Sequence, residues 1–137
     1  MGHAREVGDQ DLLRKVEPAI VKIAEAADEG LNPDGSMIYE DFVSKGKIDR
    51  ELHWWVQAEN VVGHVNLFQH FGDEEALQIA LRCWNFIQTK LVDKLHGEWH
   101  WSLYADGTIN MKDDKAGFWK CPYHNGRMCM EILERFS

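Results

Sequence analysis

WWVQAENVVGHVNLFQHFGDEEALQIALRCWNFIQTKLV, residues 54–92, is the stretch whose reading decides the fold. Its first part predicts a helix over 54–71. Val61, Val65 and Phe68 form an apolar stripe at helical spacing, while Trp55, Glu59, Val62, Asn66 and Gln69 share a second. Gly72 stops this helix, and Asp73 can cap the next by accepting bonds from its free N–H groups. Leu77, Ala80, Leu81, Trp84 and Ile87 keep helical register through a third helix over 74–92. Two helices joined by only Gly72-Asp73 must fold back on each other as an antiparallel pair.

Working outward, a first helix is predicted over 11–29 from Leu12, Leu13, Val16, Ile20, Ile23 and Ala27. Pro18 lies inside it and removes one backbone donor. Gly30 ends it, and Asn32-Pro33-Asp34-Gly35 is a turn signal. Residues 36–53 read as irregular, with a short strand at Met37-Ile38-Tyr39. After Gly97 the period changes to two: Trp99 and Trp101 alternate with His100 and Ser102. Ala105-Asp106-Gly107 and Thr108-Ile109-Asn110 complete a β-hairpin. Pro122 suits the first position of a last helix over 122–136. The fold class is therefore all-α, with antiparallel helix hairpins and a short β-hairpin in a long loop. Tight connections at one end and long aromatic loops at the other suit an α/α toroid, in which each pair buries its face against neighbours.

At 137 residues, 45% hydrophobic and 28% charged, the chain is sized for one soluble domain. No window is apolar enough to span a membrane, and the start lacks a signal-peptide pattern. Met1-Gly2-His3 can belong to an expression vector. A net charge of −8 disfavours a nucleic-acid partner. Three cysteines, Cys83, Cys121 and Cys129, cannot pair evenly, which points to a reduced, cytoplasmic setting. Six Trp, seven His and three Tyr sit mainly between 53 and 124, beside hydrogen-bonding residues. Such aromatic faces suit a sugar, although composition alone favours an ordinary aromatic core.

No metal site is expected. His53, His64 and His70 do not form H-E-x-x-H, and His96 and His100 span a Gly-containing turn. Cys121 and Cys129 lack a ligand pattern. Two other constellations carry more. In His53-Trp54-Trp55-Val56-Gln57-Ala58-Glu59, Trp55 and Glu59 stand four apart, so an aromatic plate and a carboxylate share one helix face. A sugar can stack on one and bond the other; core tryptophans with a capping glutamate are the plainer alternative. In Gly117-Phe118-Trp119-Lys120-Cys121-Pro122-Tyr123-His124-Asn125-Gly126-Arg127, His124 opens a helix. There the helix dipole opposes protonation of an imidazole, which suits a group that takes and returns a proton near neutrality. Arg127, three residues on, can hold an enediolate oxygen or a neighbouring carboxylate. A histidine that merely caps the helix is the alternative here.

HWWVQAENVVG (53–63) and KAGFWKCPYHNGRM (115–128) resemble the two C-terminal signatures of cellobiose 2-epimerases, within the N-acylglucosamine 2-epimerase superfamily. The segments 72–107 and 15–35 are similar to the family's intervening helix pair with hairpin and to its preceding helix and turn. The resemblance runs from about residue 4 to 136. It implies an (α/α)6 barrel without metal or organic cofactor, of which residues 1–137 form a C-terminal fragment of one catalytic domain. The implied chemistry inverts C2 of the reducing-end sugar of a β-1,4-disaccharide, cellobiose or mannobiose, through ring opening and a cis-enediolate. It implies that His124 is one of two acid/base histidines, with Glu59 the catalytic carboxylate. Trp55 and Trp119 are the implied sugar-binding tryptophans, with Arg127 beside them.

The family's other histidine belongs to an H-x-x-E motif on an earlier helix. His3-Ala4-Arg5-Glu6 satisfies that pattern literally, but Gly8-Asp9 follows where the family has a long apolar helix. His3 is therefore read as a coincidence of the start site, and the second histidine stays unassigned. An N-acylglucosamine 2-epimerase or an aldose–ketose isomerase is the alternative within the superfamily. A non-catalytic carbohydrate-binding or structural fragment is the alternative outside it. Helix faces left bare by absent neighbours predict a homo-oligomer or association with a missing N-terminal part.

Overall fold

The computed structural model describes residues 8–137. The chain divides into two compact units, Met1–Gly30 and Leu31–Ser137. In the first, α1 spans Gln10–Asp28, one residue earlier at each end than expected. Asp9 starts it by accepting hydrogen bonds from the N–H groups of Asp11 and Leu12, at 3.1 and 3.0 Å. The helix continues through Pro18. Leu13 is buried, while Leu12 and Ile23 are exposed.

The second unit is built on α2, Trp54–Phe71, and α3, Glu74–Phe86. Gly72 adopts φ 70° and donates to the Phe68 carbonyl, while Asp73 accepts from the Ala76 N–H at 3.0 Å. These are the stop and the cap expected from sequence, and they fold α3 back along α2. The last helix, α4, spans Tyr123–Arg135 and also packs on α2. Because α2 meets two helices, it is buried on more than one face, through Trp54, Val56, Ala58, Val61, Val62 and Val65. With Phe86, Ile87, Leu91, Trp99, Leu103 and Met128 these residues form the core.

Three further boundaries differ from the sequence reading. The third helix stops being α-helical at Phe86, and Ile87–Leu91 form a wider π-helical turn. Thr89 donates its hydroxyl to the Asn85 carbonyl at 2.7 Å, competing with the backbone ladder. The strand expected at Met37-Ile38-Tyr39 is only a single bridge, Leu31 to Met37. The buried Gln57 amide pairs with Met37 instead, accepting from its N–H at 2.9 Å and donating to its C=O at 2.8 Å. The strand falls later, as β1 (Glu40–Phe42) against β2 (Lys47–Asp49), with Asp41 opposite Ile48. Pro122 caps α4 rather than opening it, and its carbonyl accepts the first helical bond from Gly126 at 3.1 Å.

The expected hairpin is present and does further work. Tyr104 and Thr108 bond across its turn, and Leu103 bridges Ile109. The strand within it, β4 (Ser102–Leu103), pairs on its other side with β3 (Leu52–His53). The Trp54 N–H then donates to the Trp101 carbonyl at 3.0 Å. The hairpin thereby holds the first turn of α2.

The 32–35 turn is fixed equally tightly. Asn60 donates to the Gly35 carbonyl at 2.9 Å. Gly35 has φ 82°, and an added Cβ would lie 2.6 Å from the Cys83 nitrogen and 2.7 Å from the Arg82 Cβ. Gly35→Ala therefore combines left-handed backbone strain with a clash against helix backbone. It should destabilise the chain by about 2–4 kcal/mol, read as a fall in the urea midpoint.

Candidate functional site

Two helices distant in sequence supply the site. The first turns of α2 present Trp55 and Glu59 on one face. The first turn of α4 presents His124, with Arg127 one turn on. The carboxylate of Glu59 joins them: His124 Nδ1 lies 2.6 Å from Glu59 Oε1, and Arg127 donates through Nη2 to the same oxygen. Arg127 also donates through Nη1 to Glu131 at 2.5 Å. Arg135 continues the line, bonding Glu131 at 3.1 Å and Gln69 of α2 at 2.8 Å. Polar ties therefore join α2 to α4 at two levels, through Glu59 and through Gln69.

Burial opposes ionisation of Glu59. The hydrogen bonds from Arg127 and His124 outweigh it and hold the carboxyl below its usual range. Arg127, bonded to both Glu59 and Glu131, is held above the ordinary guanidinium value despite some burial. An ionised carboxylate can only accept, so His124 must carry its proton on Nδ1 to bond Glu59. In the neutral imidazole Nε2 then holds the lone pair that can take a proton. The imidazole is walled by aromatic rings: Trp54 at 5.4 Å and 74°, Trp55 at 5.7 Å and 39°, and Tyr123 at 4.9 Å and 81°. Tyr39 meets Trp55 edge-on at 6.2 Å, extending the aromatic wall.

Of the residues singled out from sequence, Glu59, His124, Trp55 and Arg127 are brought together. Of the two tasks open to Arg127, the one observed is holding a carboxylate. Trp119 is not among the rings around His124. It is 82% exposed and packs edge-on against Phe118, itself 91% exposed, at 4.9 Å. His3 lies outside the described residues. Sequence reasoning missed Trp54, Tyr123 and Glu131. Glu131 was legible, since Arg127 and Glu131 have the four-residue spacing of a helical ion pair. Trp54 belongs to the core, and its ring also abuts the imidazole.

Among the described residues no group of three or more His, Cys, Asp or Glu is placed to hold a metal ion. The Cys83 thiol is buried and pushed up to about 12 by desolvation, while Cys121 and Cys129 are free and exposed. No described helix is long and apolar enough to cross a membrane.

Residues 5–126 match the sequence profile of the N-acylglucosamine 2-epimerase (GlcNAc 2-epimerase) family. The chain belongs to this family. It is 61% identical over 130 residues to a cellobiose 2-epimerase of Bacteroides fragilis and 41% identical over 130 residues to one of Ruminococcus albus. These alignments cover 95% and 94% of this chain. It spans only 33% of each of those relatives, about a third of their length. Among solved structures, a sugar epimerase from a ruminal bacterium superposes with a TM-score of 0.87 at 39% identity. The cellobiose 2-epimerase of Bacillus thermoamylovorans does so with 0.85 at 38%. Each superposition covers 96% of this chain, and 34% and 33% of those chains respectively. These neighbours are (α/α)6 barrels, so the toroidal family expected from the helix hairpins is the observed one.

The depressed Glu59 fixes a pH dependence. Its ionised form contributes stability that is present above the ordinary carboxylate range and is lost as pH falls through the lowered folded value. Thermal unfolding followed from about pH 7 to about pH 3 should fall more steeply for the wild-type chain than for Glu59→Gln. Parallel curves would remove the stabilising role of this carboxylate.

Proposed function

We propose that the chain supplies one half of the proton-transfer machinery of a sugar 2-epimerase acting on the reducing-end residue of a β-1,4-disaccharide such as cellobiose. The observation that carries this reading is the 2.6 Å bond between His124 Nδ1 and Glu59, with the Trp55 ring 5.7 Å from the imidazole. Proton abstraction beside an aldehyde needs a base whose lone pair is aimed and whose charge, once protonated, is balanced. Glu59 does both for His124, because it fixes the tautomer and stands beside the imidazolium that forms.

After ring opening, Nε2 of His124 serves one face of C2. Removal of the C2 proton there leaves a cis-enediolate, and delivery of a proton to the opposite face inverts the carbon. The second proton carrier belongs to the portion of the family's length that this chain does not span. Trp55 offers a plate for the C–H face of the sugar ring. Arg127 keeps Glu59 ionised and in place, and positive charge one turn from the imidazole also favours an enediolate. Trp119, on an exposed loop with Phe118, is assigned to the sugar that enters from solvent. The exposed faces of Met130, Leu133 and Phe136 on and after α4 support association, either with the remainder of the barrel or with a second copy. The free thiols fit a cytoplasmic setting.

The test is a chimera in which the N-terminal two-thirds of the Bacteroides fragilis relative precedes residue 5 of this chain. Incubated with cellobiose in deuterated water, it should place deuterium at C2 of the reducing-end sugar and yield the C2 epimer. His124→Ala should reduce that exchange by at least ~10²-fold. A folded chimera without exchange on cellobiose, mannobiose, N-acetylglucosamine or mannose would overturn the enzymatic reading.

A further inference from the structure

Lys120 is the charged side chain that the epimerase reading leaves unused, and its surroundings are unusual. It is only 2% exposed, in a class of residue that is almost never fully buried without partners. Its ammonium donates to the Trp99 carbonyl, to the Lys115 carbonyl at 2.9 Å and towards Glu98 Oε1 at 3.4 Å. Its three donors are thus each given an acceptor. Burial pushes its pKa down, against the pull of Glu98. It also sits 5.0 Å from the centroid of the Trp54 ring.

Both connections lead to the same imidazole. Trp54 is 2% exposed, and its ring meets both the Lys120 ammonium and, edge-on at 5.4 Å, the His124 imidazole. Glu98 Oε1, the anionic partner of Lys120, also accepts from Asn125 Nδ2 at 2.8 Å. Asn125 is buried and follows His124 directly. Glu98 itself is held in left-handed backbone at φ 63°, beside Gly97 at φ 76°. A non-glycine residue is kept there only when its surroundings over-determine it. A lysine needed only to fill volume beside Trp54 would serve better as methionine, with no charge to desolvate.

We propose that Lys120 is a positioning residue for His124: its buried ammonium clamps the Trp54 ring against the imidazole and, through Glu98, fixes Asn125 at the start of α4. The proposal rests on the reading of His124 as the acid/base group. It assigns Lys120 the task of holding that imidazole at the distance where Glu59 selects the Nδ1–H form.

The test reads the tautomer rather than turnover. In the ¹⁵N-histidine-labelled chain at about pH 8, above the ordinary imidazole range, the ring nitrogens of His124 should give two well-separated resonances with the proton on Nδ1. His124→Gln assigns the signals by removing them. Lys120→Met, folded by thermal unfolding, should draw the two resonances together as the tautomers average. Lys115→Met removes a side chain from the same loop, along with its bond to Asp93, and should leave the pattern as in the wild type. An unchanged pattern in Lys120→Met overturns the proposal, and so does an equal collapse in Lys115→Met. If Lys120→Met does not fold, Glu98→Gln, which weakens both arms of the clamp, decides by the same signal. In the chimera described above, Lys120→Met should lower kcat on the order of 10-fold with KM held. An inactive chimera would sink the epimerase reading while leaving the tautomer result to stand alone.

Discussion

One oxygen of Glu59 bears most of the consequence in this structure. It accepts from His124 and from Arg127, and so ties α2 to α4 at the point where the chemistry is expected. Neither helix could make the site alone, because the carboxylate and the imidazole are 65 residues apart in the chain. The pairing is only partly shielded from water, so its worth for stability is modest compared with the apolar core beneath it. Its value lies in direction. A carboxylate that accepts from both side chains leaves the neutral imidazole a single choice of protonated nitrogen.

Around this contact the structure arranges two kinds of support. Aromatic faces from Trp54, Trp55 and Tyr123 limit how the imidazole can turn. Polar ties then fix the segments that carry those faces: β4 and the Trp101 carbonyl hold the start of α2, while Gln57 and Asn60 anchor the loop before it. The Gln57 amide is buried and bonded through both its oxygen and its nitrogen, the condition under which a polar group sharpens a fold instead of weakening it.

Much of this was legible in the residues. Gly72-Asp73 announced the helix hairpin because a left-handed stop followed by a capping carboxylate is a local instruction that tertiary contacts need not override. Trp55 and Glu59 announced a shared face by spacing alone, and the signatures around them named the family. What remained hidden depended on partners far along the chain. The Gln57 amide takes the backbone bonds that a strand at Met37 would have used, which no local pattern reveals. Trp119 matched a family signature, yet it lies on an exposed loop beside Phe118. The burial of Lys120 had no local signal either, because its acceptors come from residues 98, 99 and 115.

The widened turn at Ile87–Leu91 acts as a phase adjuster. An α-helix rotates each residue by about 100°, so one surplus residue absorbed in a single coil changes the azimuth of everything that follows. Ile87 and Leu91 both stay fully enclosed across the step, and the chain leaves in the direction that brings Val92 beside Trp99. The angular setting of Glu98, and with it the seat of the Lys120 ammonium, is thereby decided outside the helix that carries the imidazole. A one-residue deletion in that coil would restore a regular spiral and misdirect the whole returning arm.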